Sequence, residues 1–283
     1  MGNKGKTVGT TLQKFKLDNR VAIITGGAGL LGVKHAEVVA EAGGIPVLWD
    51  INSQAVQDRS REMAERYGVS CLGMSVDITD PEDVKSGVNK VLKTLHRIDI
   101  LINNAANDPK VVLGENPTWS RLENLSLGMW QKDIAVGLTG AFLCSREVGL
   151  YMSKHGGGVI LNVASDLSVI APDQRIYRKE GTDENSQPVK PITYSVVKHG
   201  LVGLTKYLAT YWAENKVRVN AISPGGIYTN QPEGFVEKLT GRIPMGRMAQ
   251  PDEYKAAVLF LVSDASSYMT GANIIIDGGR TCW

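Results

Sequence analysis

Seven short apolar runs punctuate the chain: RVAIIT (20–25), IPVLW (45–49), CLGMSV (71–76), IDILI (98–102), VILNVA (159–164), VRVNAI (217–222) and NIIID (273–277). Segments with helical periodicity separate them. VKHAEVVAEAG (33–43) ends on the helix-stopping Gly43–Gly44, and PEDVKSGVNKVLKTLH (81–96) has Asp80 placed as N-cap with Pro81 at the first helical position. The runs show little alternation of apolar and polar residues, so both faces of each strand must be covered. Strands of that kind alternating with helices predict an α/β chain with a parallel sheet. The expectation is a single doubly wound domain over residues 16–283, with about seven parallel strands and helices on both faces. No internal repeat or low-complexity linker interrupts it.

Charge narrows the partners. The 31 basic and 29 acidic residues give a formal net charge of +2, which favours neither nucleic acid nor a membrane surface. The four lysines of MGNKGKTVGTTLQKFK stand without an acid, and residues 1–15 are expected to form a flexible arm. GKT at Gly5–Thr7 lacks the upstream part of a phosphate-binding Walker loop, and Lys6 stands where a myristoylation pattern needs Ser or Thr. No stretch reads as a signal peptide or membrane span. Cys71, Cys144 and Cys282 are odd in number and widely spaced. That spacing implies no metal site and points to a reducing, cytoplasmic compartment.

Between the first strand and first helix lies TGGAGLLG (25–32), the setting of a Rossmann phosphate loop, in which backbone N–H groups and a helix N-terminus meet a pyrophosphate. It parses as G-x-G-x-x-G on Gly27, Gly29 and Gly32, or as T-G-x-x-G-x-x-G on Gly26, Gly29 and Gly32. Asp50 ends the second strand, 21 residues past Gly29, where an acid pairs with the adenosine ribose hydroxyls. Its charge would repel a 2′-phosphate, and no arginine follows in DINSQ, so NAD is favoured over NADP.

YSVVK (194–198) carries the candidate chemistry. Tyr194 and Lys198, four apart on a helix, project from one face. A phenol with its ordinary pKa near ~10 is a poor base at neutral pH. An adjacent ammonium stabilises the phenolate and makes it a usable one. Each other tyrosine lacks a lysine four residues on. Ser165 ends the fifth predicted strand, placed to hold a substrate oxygen beside Tyr194. Ser168, in the same turn, is the alternative.

Taken in order, VDIT (76–79), NNAA (103–106), NVAS (162–165), YSVVK, VRVNAISPGGIYT (217–229) and TGANIIIDGG (270–279) resemble the short-chain dehydrogenase/reductase family from about Lys16 to Gly279. The resemblance implies a nicotinamide-dependent oxidoreductase. In it Tyr194 would exchange the hydroxyl proton, Lys198 would bind ribose and tune Tyr194, and Ser165 would orient substrate. Asp77 would contact adenine, Asn104 would steady the central strand, and Pro224, Gly225 and Thr229 would hold the nicotinamide end. Gly26, Gly29, Leu30, Leu31, Ile78 and Ile227 complete the implied cofactor contacts. Homodimers or homotetramers are common in the family, and GLVGLTKYLATYWA (200–213) is a candidate contact. The apolar Trp283 would cover a neighbouring subunit or its own surface.

Two departures stand out. In VGLTGAF, Gly137 occupies the place of an asparagine that supports a water-linked proton relay in many compact members. The Gly26–Gly29–Gly32 spacing belongs to extended members, which add a C-terminal substrate domain, whereas here only RTCW follows the last strand. The frame is therefore read as compact, with Leu30 as an apolar helix residue packed under the site. The wording of VGLTGAFLCS, SDLSVIAPDQRIY and SDASSYMTG most resembles bacterial dehydrogenases of flagellin modification and nonulosonic acid synthesis.

Two polar insertions, 107–128 and 171–191, follow predicted strands and are read as walls of a substrate site. Their basic residues Lys110, Arg121, Arg175, Arg178, Lys179 and Lys190 favour a sugar or sugar phosphate, tempered by the acids Asp173, Glu180, Asp183 and Glu184. Two other readings stand beside an alcohol dehydrogenase: a nucleotide-sugar epimerase or dehydratase with retained NAD, and a non-catalytic NAD-binding protein.

Overall fold

A computed structural model describes residues 10–107 and 117–283. Residues 1–9 of the N-terminal arm, and 108–116 of the first insertion with Lys110, lie outside the described residues. The last part of the arm, Thr11–Phe15, forms a 3₁₀ turn, and Leu17 just after it is fully buried.

The strands are β1 Val21–Thr25, β2 Ile45–Asp50, β3 Leu72–Ser75, β4 Ile100–Asn103, β5 Gly158–Val163, β6 Val217–Pro224 and β7 Asn273–Ile276. They form one sheet in the order β3-β2-β1-β4-β5-β6-β7, all pairs parallel. This is the doubly wound order, whose connections reverse direction between β1 and β4 and open a crevice at the carboxyl edge. The helices are α1 Leu30–Glu41, α2 Ser53–Tyr67, α3 Pro81–Leu95, α4 Leu127–Ile134, α5 Gly140–Lys154, α6 Ile192–Tyr211, α7 Glu233–Thr240 and α8 Lys255–Val262.

The two cores explain why the strands lack alternation. Val21 and Ile23 of β1 pack with Val88 and Val91 of α3, Val148 and Met152 of α5, and Leu208 of α6 with its C-cap Trp212. The intervening Ala22 and Ile24 pack on the other face with Ala36 and Val39 of α1, Val56 of α2, and Val258 and Leu261 of α8. Successive side chains of a strand point to opposite faces, so a sheet covered twice needs apolar residues at every position.

Local signals set the helix ends. Asp80 caps α3 by accepting from Glu82 N at 2.9 Å, with Pro81 at its first position, and His96 closes it in the left-handed region. Helix α1 begins at Leu30, three residues before the periodic stretch suggests, because Gly32 lets its first turn close against the preceding loop.

Candidate active site

The turn after β1 has room for almost no side chains. Gly26 takes φ of +62°, and a Cβ there would sit 2.9 Å from Ala105 Cα. On Gly27 it would meet Leu48 of β2 at 2.8 Å, and on Gly32 it would overlap the Gly26 carbonyl oxygen. Gly26, Gly27 and Gly32 are therefore each sterically required, and the packing does not choose between the two parses. Gly29 alone of the four keeps an open side, with only the Gly26 oxygen near, at 3.3 Å. It is also the N-cap of α1, and no side chain caps that helix. Backbone N–H groups of the first turn, at Leu30 and Leu31, are left for an anion. This cradle fits the pyrophosphate of a dinucleotide.

Leu30 is 48% exposed, which corrects its reading as a residue packed under the site: the early start of α1 puts it at the mouth. Leu31 packs against the core instead.

Asp50 leaves β2 beside this cradle. One carboxylate oxygen accepts from Ala28 N at 3.1 Å and the other from Asn52 N at 3.0 Å. Asp77 accepts from the Thr79 amide at 2.9 Å and hydroxyl at 2.7 Å. Ile78 is buried against Gly140, so its side chain belongs to the core. Asn104, after β4, donates to the Thr25 and Gly26 carbonyls at 3.0 and 3.2 Å, clamping the turn across the switch point. Beneath it His35 of α1 is fully buried, and neither ring nitrogen makes a hydrogen bond of normal geometry. Burial pushes it down to about 4, with the Asn104 side chain opposing only in part.

At the end of β5 the chain enters a short 3₁₀ turn, Asp166–Ser168, capped by Ser165. Tyr194 and Lys198 lie in the first two turns of α6. Lys198 is 5% exposed, and its Nζ donates to Val163 O of β5 at 2.8 Å. That nitrogen lies 5.6 Å from the centroid of the Tyr194 ring. The sequence-predicted trio is thus gathered where β5 meets α6. Ser168 faces elsewhere: its hydroxyl shares a hydrogen bond with Ser223 of β6 at 2.9 Å.

Two hydrogen-bonded networks beside the trio escaped the sequence reading. Ser165 Oγ donates to Asp166 Oδ1 at 2.8 Å, and Asp166 Oδ2 accepts from Arg280 at 2.6 Å, a buried ion pair reaching the C-terminal turn. Thr193 donates to Asp133 of α4, which also accepts from Asn107 at 2.7 Å. A charge directly after Ser165 was the one visible signal. Nothing in chain order pairs Asp166 with Arg280.

Gly137 lies in a π-helical segment, Ala135–Thr139, between α4 and α5. A Cβ there would stand 2.5 Å from Val197 Cγ1, so Val197 fills the space where an asparagine side chain would begin. Farther along the edge, Pro224 ends β6, and a Cβ on Gly225 would sit 2.7 Å from Asp277 Cα. Gln231 then braces the turn by accepting from Thr229 N and donating to Ile227 O, each at 2.7 Å.

The second insertion is an ordered wall. Ile176 joins Leu239, Ile243 and Met248 in a small core beside α7. Gln187 ties the loop internally through Lys179 and Thr182. Its arginines pair with acids: Arg175 shares Asp173 with Arg242 from beyond α7, and Arg178 pairs with Glu184. Arg121 pairs with Glu123. Lys190 extends over the Tyr194 ring. Among the described residues no cluster of His, Cys, Asp and Glu is arranged for a metal ion, and no helix is long and apolar enough to cross a membrane.

The family described as short chain dehydrogenase matches residues 20–177, and that described as Enoyl-(Acyl carrier protein) reductase matches residues 182–281. The chain belongs to the short-chain dehydrogenase family and is an oxidoreductase. It is similar to a D-threitol dehydrogenase of Mycolicibacterium smegmatis, 34% identical over 94% of this chain and 95% of that protein. Its identity to an NAD-dependent glycerol dehydrogenase of Listeria innocua is 37%, over 94% and 96% of the two chains. A crystal structure of a gluconate 5-dehydrogenase from Burkholderia cenocepacia, in complex with NADP and tartrate, matches at a TM-score of 0.83. That protein is 27% identical, over 96% of this chain and 99% of the other.

Proposed function

We propose that the protein transfers hydride between NAD and a secondary alcohol or ketone of a sugar or polyol. One observation carries this reading: a buried lysine, fixed on the end of β5, stands beside the Tyr194 ring at the carboxyl edge where Ser165 also emerges. When bound, the nicotinamide supplies the carbon that accepts hydride. Tyr194, as phenolate, takes the substrate hydroxyl proton, and Lys198 steadies that anion and the cofactor ribose. Ser165 orients the substrate. Because a carboxylate only accepts, the Ser165 proton is directed to Asp166, and its oxygen, which already accepts from Leu167 N at 3.2 Å, has one acceptor position left for a substrate hydroxyl. A polyol suits this arrangement, with one hydroxyl donating to Tyr194 and its neighbour to Ser165.

Asp50 supports NAD, since its carboxylate is anchored on the phosphate turn where a 2′-phosphate would meet it. Gly26, Gly29, Leu30 and Leu31 would bind pyrophosphate mainly through backbone. Asp77 and the Ile78 backbone would lie at adenine, with Pro224, Gly225, Ile227 and Thr229 at the nicotinamide end. The pairing of Arg121, Arg175 and Arg178 with acids favours an uncharged sugar or polyol over a sugar phosphate. Within that class, the sequence likeness to flagellin-modification dehydrogenases points to a precursor of a surface sugar. The three free cysteines suit the cytoplasm. Exposed Phe142 and Leu150 on α5 and Tyr207 and Tyr211 on α6 offer a contact for a second copy. We assign residues 16–283 to one catalytic domain.

Incubation with NAD and a panel of polyols and their phosphates, followed by NADH absorbance, tests the reading. Turnover of unphosphorylated polyols is expected. Tightly retained NAD without net turnover would instead make the protein an epimerase or dehydratase. NAD binding with no turnover of any alcohol would make it a non-catalytic binder.

A further inference from the structure

The second insertion ends by placing a cation on the candidate base. Lys190 Nζ lies 3.8 Å from the centroid of the Tyr194 ring, nearer than the 5.6 Å of Lys198. The backbone of Lys190 is fixed on both sides: its N–H donates to Gln174 Oε1 at 2.8 Å, and Gln174 Nε2 donates back to its carbonyl at 3.4 Å. Val189 N donates to Ser120 Oγ at 3.3 Å, and Pro191 follows as the N-cap of α6. A residue before proline is held extended, which limits where this lysine can go.

Among the described residues, the other charges around the first turns of α6 do not duplicate it. Asp166, from the turn after β5, is neutralised by Arg280. Asp133 of α4 is engaged by Thr193 and Asn107. His199, on α6 itself, is exposed and bonds the Ser195 carbonyl. The π-helical segment and β5 bring no ionisable side chain, and Arg218, the one on β6, lies at the opposite end of its strand. A cation on a ring face is attracted to a neutral phenol, and more strongly to the phenolate, which carries a full charge.

We propose that Lys190 is a positioning residue that acts through Tyr194, a second ammonium that holds the phenol ring and favours its anionic form. This rests on Tyr194 being the base. Loss of the phenol proton to solvent becomes easier, and the phenolate then accepts the substrate hydroxyl proton as hydride leaves. The insertion is thereby part of the catalytic apparatus as well as a wall.

The test compares wild type with Lys190→Met, Lys190→Arg and Tyr194→Phe. For Lys190→Met the acid limb of kcat/KM for alcohol oxidation is expected to move up by about one pH unit. Lys190→Arg is expected to restore it. Ultraviolet titration of tyrosinate in the cofactor-free chain, taken as a difference from Tyr194→Phe, should show the same shift without relying on turnover. If Tyr194→Phe abolishes turnover while Lys190→Met leaves both profiles on those of wild type, the role of Lys190 falls and the base stands. If Tyr194→Phe retains turnover, both fall.

Discussion

The glycine turn and the second insertion lie along one sheet edge but are held by different means. Residues 26–32 are shaped by backbone packed on backbone: three of their four glycines admit no side chain, and Asp50 and Asn104 bind main-chain groups. Residues 171–191 are held by side chains from distant parts of the chain, among them Ile243, Arg242 and Lys238. A backbone cradle suits a ligand part common to many enzymes, because phosphates are recognised by N–H groups. A wall of side chains suits the part that differs, because it can change without disturbing the sheet. The proposed catalytic trio stands at their junction.

Substitutions should separate the two regions. The largest effect is expected at the junction: Tyr194→Phe should lower kcat by about 10³-fold while leaving NADH binding intact, as a general base contributes on that order. Steady-state kinetics and a fluorescence titration of the cofactor check this. Arg280→Met should cost about 3–5 kcal/mol of unfolding free energy, because Asp166 would remain buried and unpaired. Adding Asp166→Asn should recover much of that loss in denaturant titration.

The phosphate side has its own acid sensitivity. In the folded chain His35 titrates at about 4, below its ordinary 6.5, so the unfolded chain binds the proton more readily. The contribution is complete above pH 6.5 and is lost as pH falls towards 4, amounting to about 3 kcal/mol. Unfolding midpoints measured across that window should show the loss in wild type and not in His35→Leu. The smallest change is expected for Asp50→Asn, which should relax the preference for NAD over NADP by about five- to tenfold. A ratio of kcat/KM values for the two cofactors reports it.

Gly137 shows how far residue-by-residue matching carries. The sequence reveals that an asparagine is missing, but the structure shows that Val197 occupies its space. Gly137→Asn alone should therefore destabilise the fold. Paired with Val197→Ala it should be accommodated, as thermal unfolding of the two variants would show.

Much of the architecture was legible because its causes are local. Doubly buried strands announce themselves as unbroken apolar runs, Asp80 and Pro81 mark a helix start, and Gly26 to Gly32 mark a turn. Tyr194 and Lys198 were legible for the same reason, since a spacing of four fixes a common helix face. The packing of Leu30 was misjudged because where α1 begins depends on contact with Gly26, which periodicity does not register.

The order of residues thus determined seven strands, their helices, the phosphate turn and a tyrosine–lysine pair. Only the folded chain decided that Arg280 neutralises Asp166 beside Ser165, that three of the basic residues read as favouring a sugar or sugar phosphate are paired with acids, and that Lys190 rests on Tyr194. Propensity, capping and helical spacing act over a few residues and can be read along the chain. A charge finds its partner across a hundred residues only after the sheet has brought them together.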